Sequence, residues 1–317
     1  MAIFILRIKQ MKYIGLLTLL IMIISCKKEL SKNNDKDKNT AYQEVIEEGY
    51  ELSSPTDEMS AVLVLFGGYP ETPQDVKKQF NILPIAKENQ VAVLYMNFNQ
   101  KLYLEEEEKK QLAERLLGIL KKHKLPLEKL YIGGFSSGGN VSLLLSSYIM
   151  EHPELDFSPE GVFIVDSPIE LSALYYAAEK NLENNFSKPS VEESTWIIEQ
   201  FTTQFGNPHL NLSKYKHHSV FTLETDDTHN ISGLKNTKIR FYTEPDTLWW
   251  KQNRMAAYEQ TNAFYIKKLA ESLQAKQFKD VVYIATENKG YRANGERHPH
   301  SWSIIDEKNL IQWILSE

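Results

Sequence analysis

Apolar residues fall into short unbroken runs separated by longer periodic segments. The runs are Ala61–Phe66, Val91–Met96, Leu130–Ile132, Gly161–Val165, the apolar part of Lys238–Thr243, and Val281–Ala285. Runs this short and continuous predict strands covered on both faces, as in a parallel sheet. The intervening segments have helical spacing. Thr72, Pro73 and Asp75 supply an N-cap, a first-position proline and a first-turn acid. From Glu105 to Lys122, Leu112, Leu116, Leu117 and Leu120 share one face, with glutamates at the start and lysines at the end. That polarity matches the helix dipole, so the glutamate run reads as a solvated helix start and not a metal site. Val141, Leu144, Leu145, Tyr148 and Ile149 predict a helix after the third run. A helical stretch spans Tyr258 to Gln274, and Leu310, Ile311 and Ile314 predict a last helix. Strict alternation of strand and helix predicts an α/β fold: a mostly parallel central sheet with helices on both faces.

The alternation breaks between Leu171 and Leu234, where helical patterns occur without a buried strand. Ser190-Val191-Glu192-Glu193 has the form of a capping box opening a helix that carries Trp196, Ile197, Ile198 and Phe201. The segment leaves the sheet after Val165 and returns before Lys238. It is expected to form a helical cap over the strand ends, shaping a pocket with side chains such as Trp196 and Phe201 and contributing no reacting group.

At the N-terminus, Lys9 and Lys12 precede the apolar run Ile14–Ile24, which is short for a membrane span. Residues 1–25 are expected to be an export signal. Ser31 to Thr40 contains no apolar residue and is expected to be a tether. The predicted organisation is therefore a signal (1–25), a tether (26–42) and one α/β domain (43–317) with a cap at about 171–234. A formal net charge of −6 over 317 residues gives no basic field for nucleic acid. With Cys26 the single cysteine, the folded body contains no disulfide and no thiolate metal site. The run Ile23-Ile24-Ser25-Cys26 resembles the bacterial lipoprotein lipobox. That resemblance implies lipidation of Cys26 and a membrane partner through the lipid anchor, in the cell envelope of a bacterium.

The chemistry centres on Gly134-Phe135-Ser136-Ser137-Gly138, between the third apolar run and its helix. This is G-x-S-x-G in the strand–turn–helix setting of a nucleophile elbow. The tight turn needs small flanking residues. It lifts the serine above the sheet, at a helix N-terminus where backbone N–H groups can stabilise an oxyanion. Ser136 is the candidate nucleophile. Ser137 fits less well, because Phe135 would occupy its small-residue position.

Element order and elbow together resemble the α/β-hydrolase fold superfamily, from about Ala61 to the C-terminus. The resemblance implies a triad in the order nucleophile, acid, histidine. The histidine belongs in the loop Gly295-Glu296-Arg297-His298-Pro299-His300-Ser301-Trp302. His300 is preferred to His298, because it heads a His-small-aromatic run and lies nearer the last helix. The acid is expected after the strand Lys238–Thr243, with Asp246 chosen over Glu244; Asp166, after the preceding strand, is the alternative. The oxyanion donors are expected to be the N–H of Ser137 and that of Gly68 or Tyr69. Trp249, Trp250 and Trp302 stand beside these positions as pocket walls or core. Asp226-Asp227-Thr228-His229 and His217-His218 read as polar loop residues. The resemblance implies hydrolysis of a carboxylic ester, small-molecule or polymer, through an acyl-enzyme on Ser136 without a cofactor. A peptidase on the same triad and a non-catalytic binding lipoprotein are the alternatives.

Overall fold

The computed structural model describes residues 41–98 and 101–316. The signal, Cys26 and the Ser31–Thr40 segment lie outside the described residues.

The chain begins with an antiparallel hairpin, β1 (Tyr42–Glu47) and β2 (Tyr50–Pro55). Then follow β3 (Ala61–Phe66), α1 (Pro73–Gln79), α2 (Leu83–Glu88), β4 (Val91–Met96) and α3 (Glu106–Lys122). The elbow segment gives β5 (Leu130–Phe135) and α4 (Ser137–Glu151), and β6 (Pro159–Val165) comes next. Three helices occupy the predicted cap: α5 (Leu171–Asn184), α6 (Lys188–Phe205) and α7 (Ser213–His218). The chain closes with β7 (Lys238–Thr243), α8 (Thr247–Arg254), α9 (Asn262–Ala275), β8 (Asp280–Ala285) and α10 (Glu307–Leu315).

The eight strands form one sheet in the order β1-β2-β4-β3-β5-β6-β7-β8. From β4 to β8 all pairings are parallel; β2 joins β4 antiparallel. Alternate residues of each strand enter opposite cores, as a period of two requires. Val62, Val64 and Phe66 of β3 pack with Leu112, Leu116 and Leu120 of α3 and Leu144 of α4 in one core. Leu63 and Leu65 face the other core, with Val76, Ala86 and Ile311 from α1, α2 and α10. Each fully buried side chain of this size contributes about 1.5–3 kcal/mol. A third cluster, including Leu171, Tyr175, Phe201, Phe205 and Tyr215, is the cap's own core.

Helix α6 starts before the expected box. Ser187 is its N-cap, accepting from the Ser190 N–H at 3.4 Å, and Ser190 lies inside the first turn. Pro189 accounts for this, since a proline at the second position gives up an N–H that has no helical partner there.

Strand order reverses at β3. The chain runs from β3 to β4 on one side and then crosses to β5 on the other. At such a switch the two following loops diverge and leave a crevice beyond the carboxyl ends of the strands. The loop after β3 holds Gly67 and Gly68; the loop after β5 holds Ser136.

Candidate active site

Ser136 has φ 52° and ψ −126°, outside the favoured regions for an L-residue. The surroundings enforce this turn. A Cβ on Gly134 would lie 2.2 Å from the Gly138 carbonyl oxygen, and one on Gly138 would lie 2.3 Å from that of Phe66. No side chain fits at either place, which is the physical content of G-x-S-x-G. The Ser136 N–H donates to Val165 O at 2.9 Å, tying the elbow to the end of β6.

Ser136 and His300 line one cavity of about 260 Å³. His300 Nδ1 lies 2.7 Å from Asp166 Oδ2, and the Asp166 side chain is 5% exposed. With Nδ1 bonded to a carboxylate, Nε2 is the ring nitrogen left for the cavity. The His300 ring packs on Phe135, centroids 4.4 Å apart. Asp166 follows β6 directly with φ 45°, a conformation that aspartate tolerates better than most residues. Its backbone is held on both sides: Asp166 N–H donates to Tyr242 O, and Asn262 Nδ2 donates to Asp166 O.

The carboxylate on the histidine is therefore Asp166, and the expectation of Asp246 is corrected. Asp246 caps α8, Oδ1 accepting from Trp249 N–H at 2.9 Å, while Oδ2 takes Arg297 Nη2 at 2.7 Å. Arg297 also binds Glu244 and donates to Gly290 O. Glu244 is buried and accepts from the N–H groups of Lys289 and Gly290 and from the Thr286 hydroxyl. Both acids after β7 thus hold the loop that carries His300. His298 lies buried against Trp249, and its Nδ1 accepts from the His300 N–H at 3.2 Å. Burial above all, with the electrostatic influence of His300, Arg292 and Arg254, pushes its pKa down to about 3.

The loop after β3 reaches the elbow closely: a Cβ on Gly68 would lie 2.9 Å from Ser136 Cβ. Gly68 N–H donates to Glu71 Oε2 at 2.8 Å, whereas Tyr69 N–H donates to Ser137 Oγ at 2.9 Å, next to the nucleophile. Ser137 N–H stands at the first position of α4, where no intrahelical partner exists. Glu71 was not legible as a site-supporting residue in the sequence. Its Oε2 also accepts from Trp302 Nε1 at 3.2 Å, joining the β3 loop to the histidine loop, and burial raises its pKa.

The cap closes the cavity. Leu174, Ala178, Trp196 and Ile197 line it, and Trp196 stacks on Tyr69 with centroids 5.0 Å apart and planes 11° apart. Phe201, expected to shape the pocket, packs inside the cap's own core. Of the other tryptophans, Trp250 lines the cavity, and Trp302 is core, stacked on Phe80. His217 and His218 end α7 and are not loop residues as expected; His218 contacts Glu105, 113 residues away in the chain, and His229 contacts its near neighbour Asp227.

No family model matches the chain, and no curated protein matches it by sequence. Solved structures do match. An S-formylglutathione hydrolase from Agrobacterium tumefaciens aligns with TM-score 0.53 at 12% identity, over 86% of this chain and 93% of its own. A fungal esterase from Rhizomucor miehei gives 0.52 at 14%, over 86% and 80%. Esterase B from Lactobacillus Rhamnosis gives 0.50 at 12%, over 87% and 84%. With the sheet order and the capped crevice, these likenesses establish the α/β-hydrolase fold.

Proposed function

We propose that the chain is a serine hydrolase that cleaves carboxylic esters. The observation that carries this reading is the strained Ser136 elbow sharing a cavity with His300, whose far nitrogen rests on buried Asp166. In the proposed reaction Ser136 Oγ bonds to the ester carbonyl carbon, and its proton passes to His300 Nε2. Asp166 holds the ring in the tautomer that can accept this proton and stabilises the imidazolium that results. The negative oxygen of the tetrahedral intermediate is met by the N–H groups of Ser137 and Tyr69, the latter turning from the Ser137 hydroxyl. The carbon–oxygen bond to the alcohol breaks as His300 returns the proton to the leaving oxygen. Water then repeats the sequence on the acyl-enzyme, giving the acid and restoring Ser136.

Esterases among the structural neighbours favour esters over amides for a first test. The test is labelling by a fluorophosphonate and turnover of 4-nitrophenyl acetate. Ser136→Ala should abolish labelling and lower kcat by about 10⁴–10⁶. Undiminished turnover in that variant would overturn the assignment. We further propose a lipid anchor at Cys26, on the lipobox-like run, which would hold the enzyme at the bacterial envelope, with the residues between Cys26 and the start of β1 at Tyr42 as its tether.

A further inference from the structure

The cavity carries a charge pattern that the proposed triad does not use. Three cations line it. Lys101 is paired with Glu108. Arg254 and Arg292 are not: among the described residues neither has a carboxylate partner, whereas Arg297 close by holds two. The one acid among the described lining residues is Glu193, on the cap. A cavity with a positive wall runs against a chain whose net charge is −6. The placement is therefore local and not a reflection of composition.

Arg254 ends α8, and Arg292 lies in the histidine loop, where its backbone is fixed in a turn by bonds with Glu296 and Gly295. A cation in the last turn of a helix also complements the dipole, which explains Lys251 as well as Arg254. It does not explain why Arg254 faces the cavity, nor the position of Arg292. His298, 4% exposed, lines the cavity with them, and both arginines act on it electrostatically. Because its Nδ1 accepts from His300 N–H, the neutral ring carries its proton on Nε2, and that buried N–H has no acceptor among the described residues. Two guanidinium side chains and the ring of His298 line the cavity together with His300, while His298 Nε2 itself is closed off from solvent.

Resting on the hydrolase reading above, we propose that this wall binds an oxyanion, carboxylate or phosphate, on the alcohol part of the ester. The side follows from the chemistry. His300 must hand its proton to the leaving oxygen, so the alcohol part lies over the histidine loop, which together with α8 builds the wall. The cap supplies the apolar lining, with Leu174, Ala178, Trp196 and Ile197 to receive an apolar acyl chain.

The test uses ester pairs of equal acyl group. 4-Acetoxybenzoate is compared with its methyl ester, and 4-acetoxyphenyl phosphate with phenyl acetate. The expected kcat/KM ratio of anionic to neutral ester is about tenfold or more in the full chain, as suits charge-assisted hydrogen bonds. In Arg254→Ala/Arg292→Ala it should fall to about one. Each single glutamine variant should cut it severalfold, which keeps the test open should the double variant fail to fold. Lys251→Ala, on the same helix but not lining the cavity, should keep the ratio. The carboxylate and phosphate arms distinguish the two sources of the oxyanion. A ratio near one in the unaltered chain while the neutral esters turn over would overturn the inference and leave the hydrolase reading standing. So would a ratio that survives removal of both arginines, or a preference found only with the carboxylate on the acyl side, measured with 4-nitrophenyl hemiglutarate against 4-nitrophenyl butyrate. No turnover of any ester and no fluorophosphonate labelling would remove the hydrolase reading itself, and this inference with it.

Discussion

Asp166→Asn separates the two acids most sharply. In the structure, Oδ2 of a nearly buried carboxylate accepts from His300 Nδ1 at 2.7 Å. A charge-assisted bond in that setting fixes the proton on Nδ1 and leaves Nε2 as a base. An asparagine there can offer its NH₂ group instead. The ring then carries its proton on Nε2 and presents a donor where Ser136 needs an acceptor. Loss of the base tautomer, and of the negative charge that stabilises the imidazolium, should lower kcat by about 10⁴, as the same change does in serine protease triads. That corresponds to about 5.5 kcal/mol on the barrier. Asp246→Asn makes the comparison. Its amide oxygen can still cap α8, and Arg297 keeps Glu244 and Gly290 O. The lost ion pair is partly exposed and contributes about 1 kcal/mol at most. Activity should stay within about tenfold, with Tm lower by about 2 °C. Steady-state hydrolysis of 4-nitrophenyl acetate and the rate of fluorophosphonate labelling read both variants. A dead Asp246→Asn beside an Asp166→Asn within tenfold of the unaltered chain would refute the reasoning.

Further outcomes are expected. Trp196→Ala removes the stack on Tyr69 and part of the cap's lining, so kcat/KM for 4-nitrophenyl esters should change unequally across acyl lengths while Ser136 still labels. A uniform fall that tracks lost Tm would place the effect in stability alone. Glu170 is 7% exposed, and desolvation raises its pKa to about 7 against the donors Leu223 N–H and Ser172 Oγ. Its folded pKa lies above the unfolded one, so its contribution is fully present below about pH 4.5 and is lost as pH rises through 7, by about 3 kcal/mol in all. Glu170→Gln should flatten that part of a urea-unfolding profile against pH, and an unchanged slope would refute it. Cys26→Ser should move the protein from the membrane fraction to the soluble one or leave it unprocessed; unchanged fractionation with normal processing would exclude the lipid anchor.

The centre of the sheet was legible because β3 to β6 are buried on both faces. A run such as Ala61–Phe66 has no polar position to blur it, and its length excludes most helices. The hairpin β1–β2 was not legible for the opposite reason. β1 is an edge strand with glutamates at Glu44 and Glu47 and only Val45 and Ile46 as an apolar pair, and β2 buries Glu51, Ser53 and Ser54 beside Leu52. Charged edges of this kind limit unwanted pairing, and they erase the apolar signal. The cap was visible as a break in the alternation. Which of its side chains reach the cavity was not: Phe201 and Trp196 lie five positions apart on α6, and only the packing of α5 and α7 decides which turns inward.

The acid was misread because sequence shows only that a carboxylate follows a strand, and both Asp166 and Asp246 do. Asp246 carried a warning in Asp246-Thr247-Leu248-Trp249, where an N-cap before a helical run already uses one oxygen. The deciding quantity is reach. Strand β8 is the sheet edge, three strands from β5, so about 14 Å separates its end from the elbow. The loop that follows must travel back across β7 to put His300 over the crevice, and on arriving it meets the end of β6, where Asp166 stands. A loop spanning that distance needs fixing along the way. The end of β7 lies under it, and there Glu244 binds the loop's N–H groups while Arg297 joins Glu244, Asp246 and Gly290 O. An acid after β7 is thus too early on the path to meet His300, and well placed to hold the path. Topology assigns the two carboxylates different tasks, and neither residue type nor spacing along the chain carries that information.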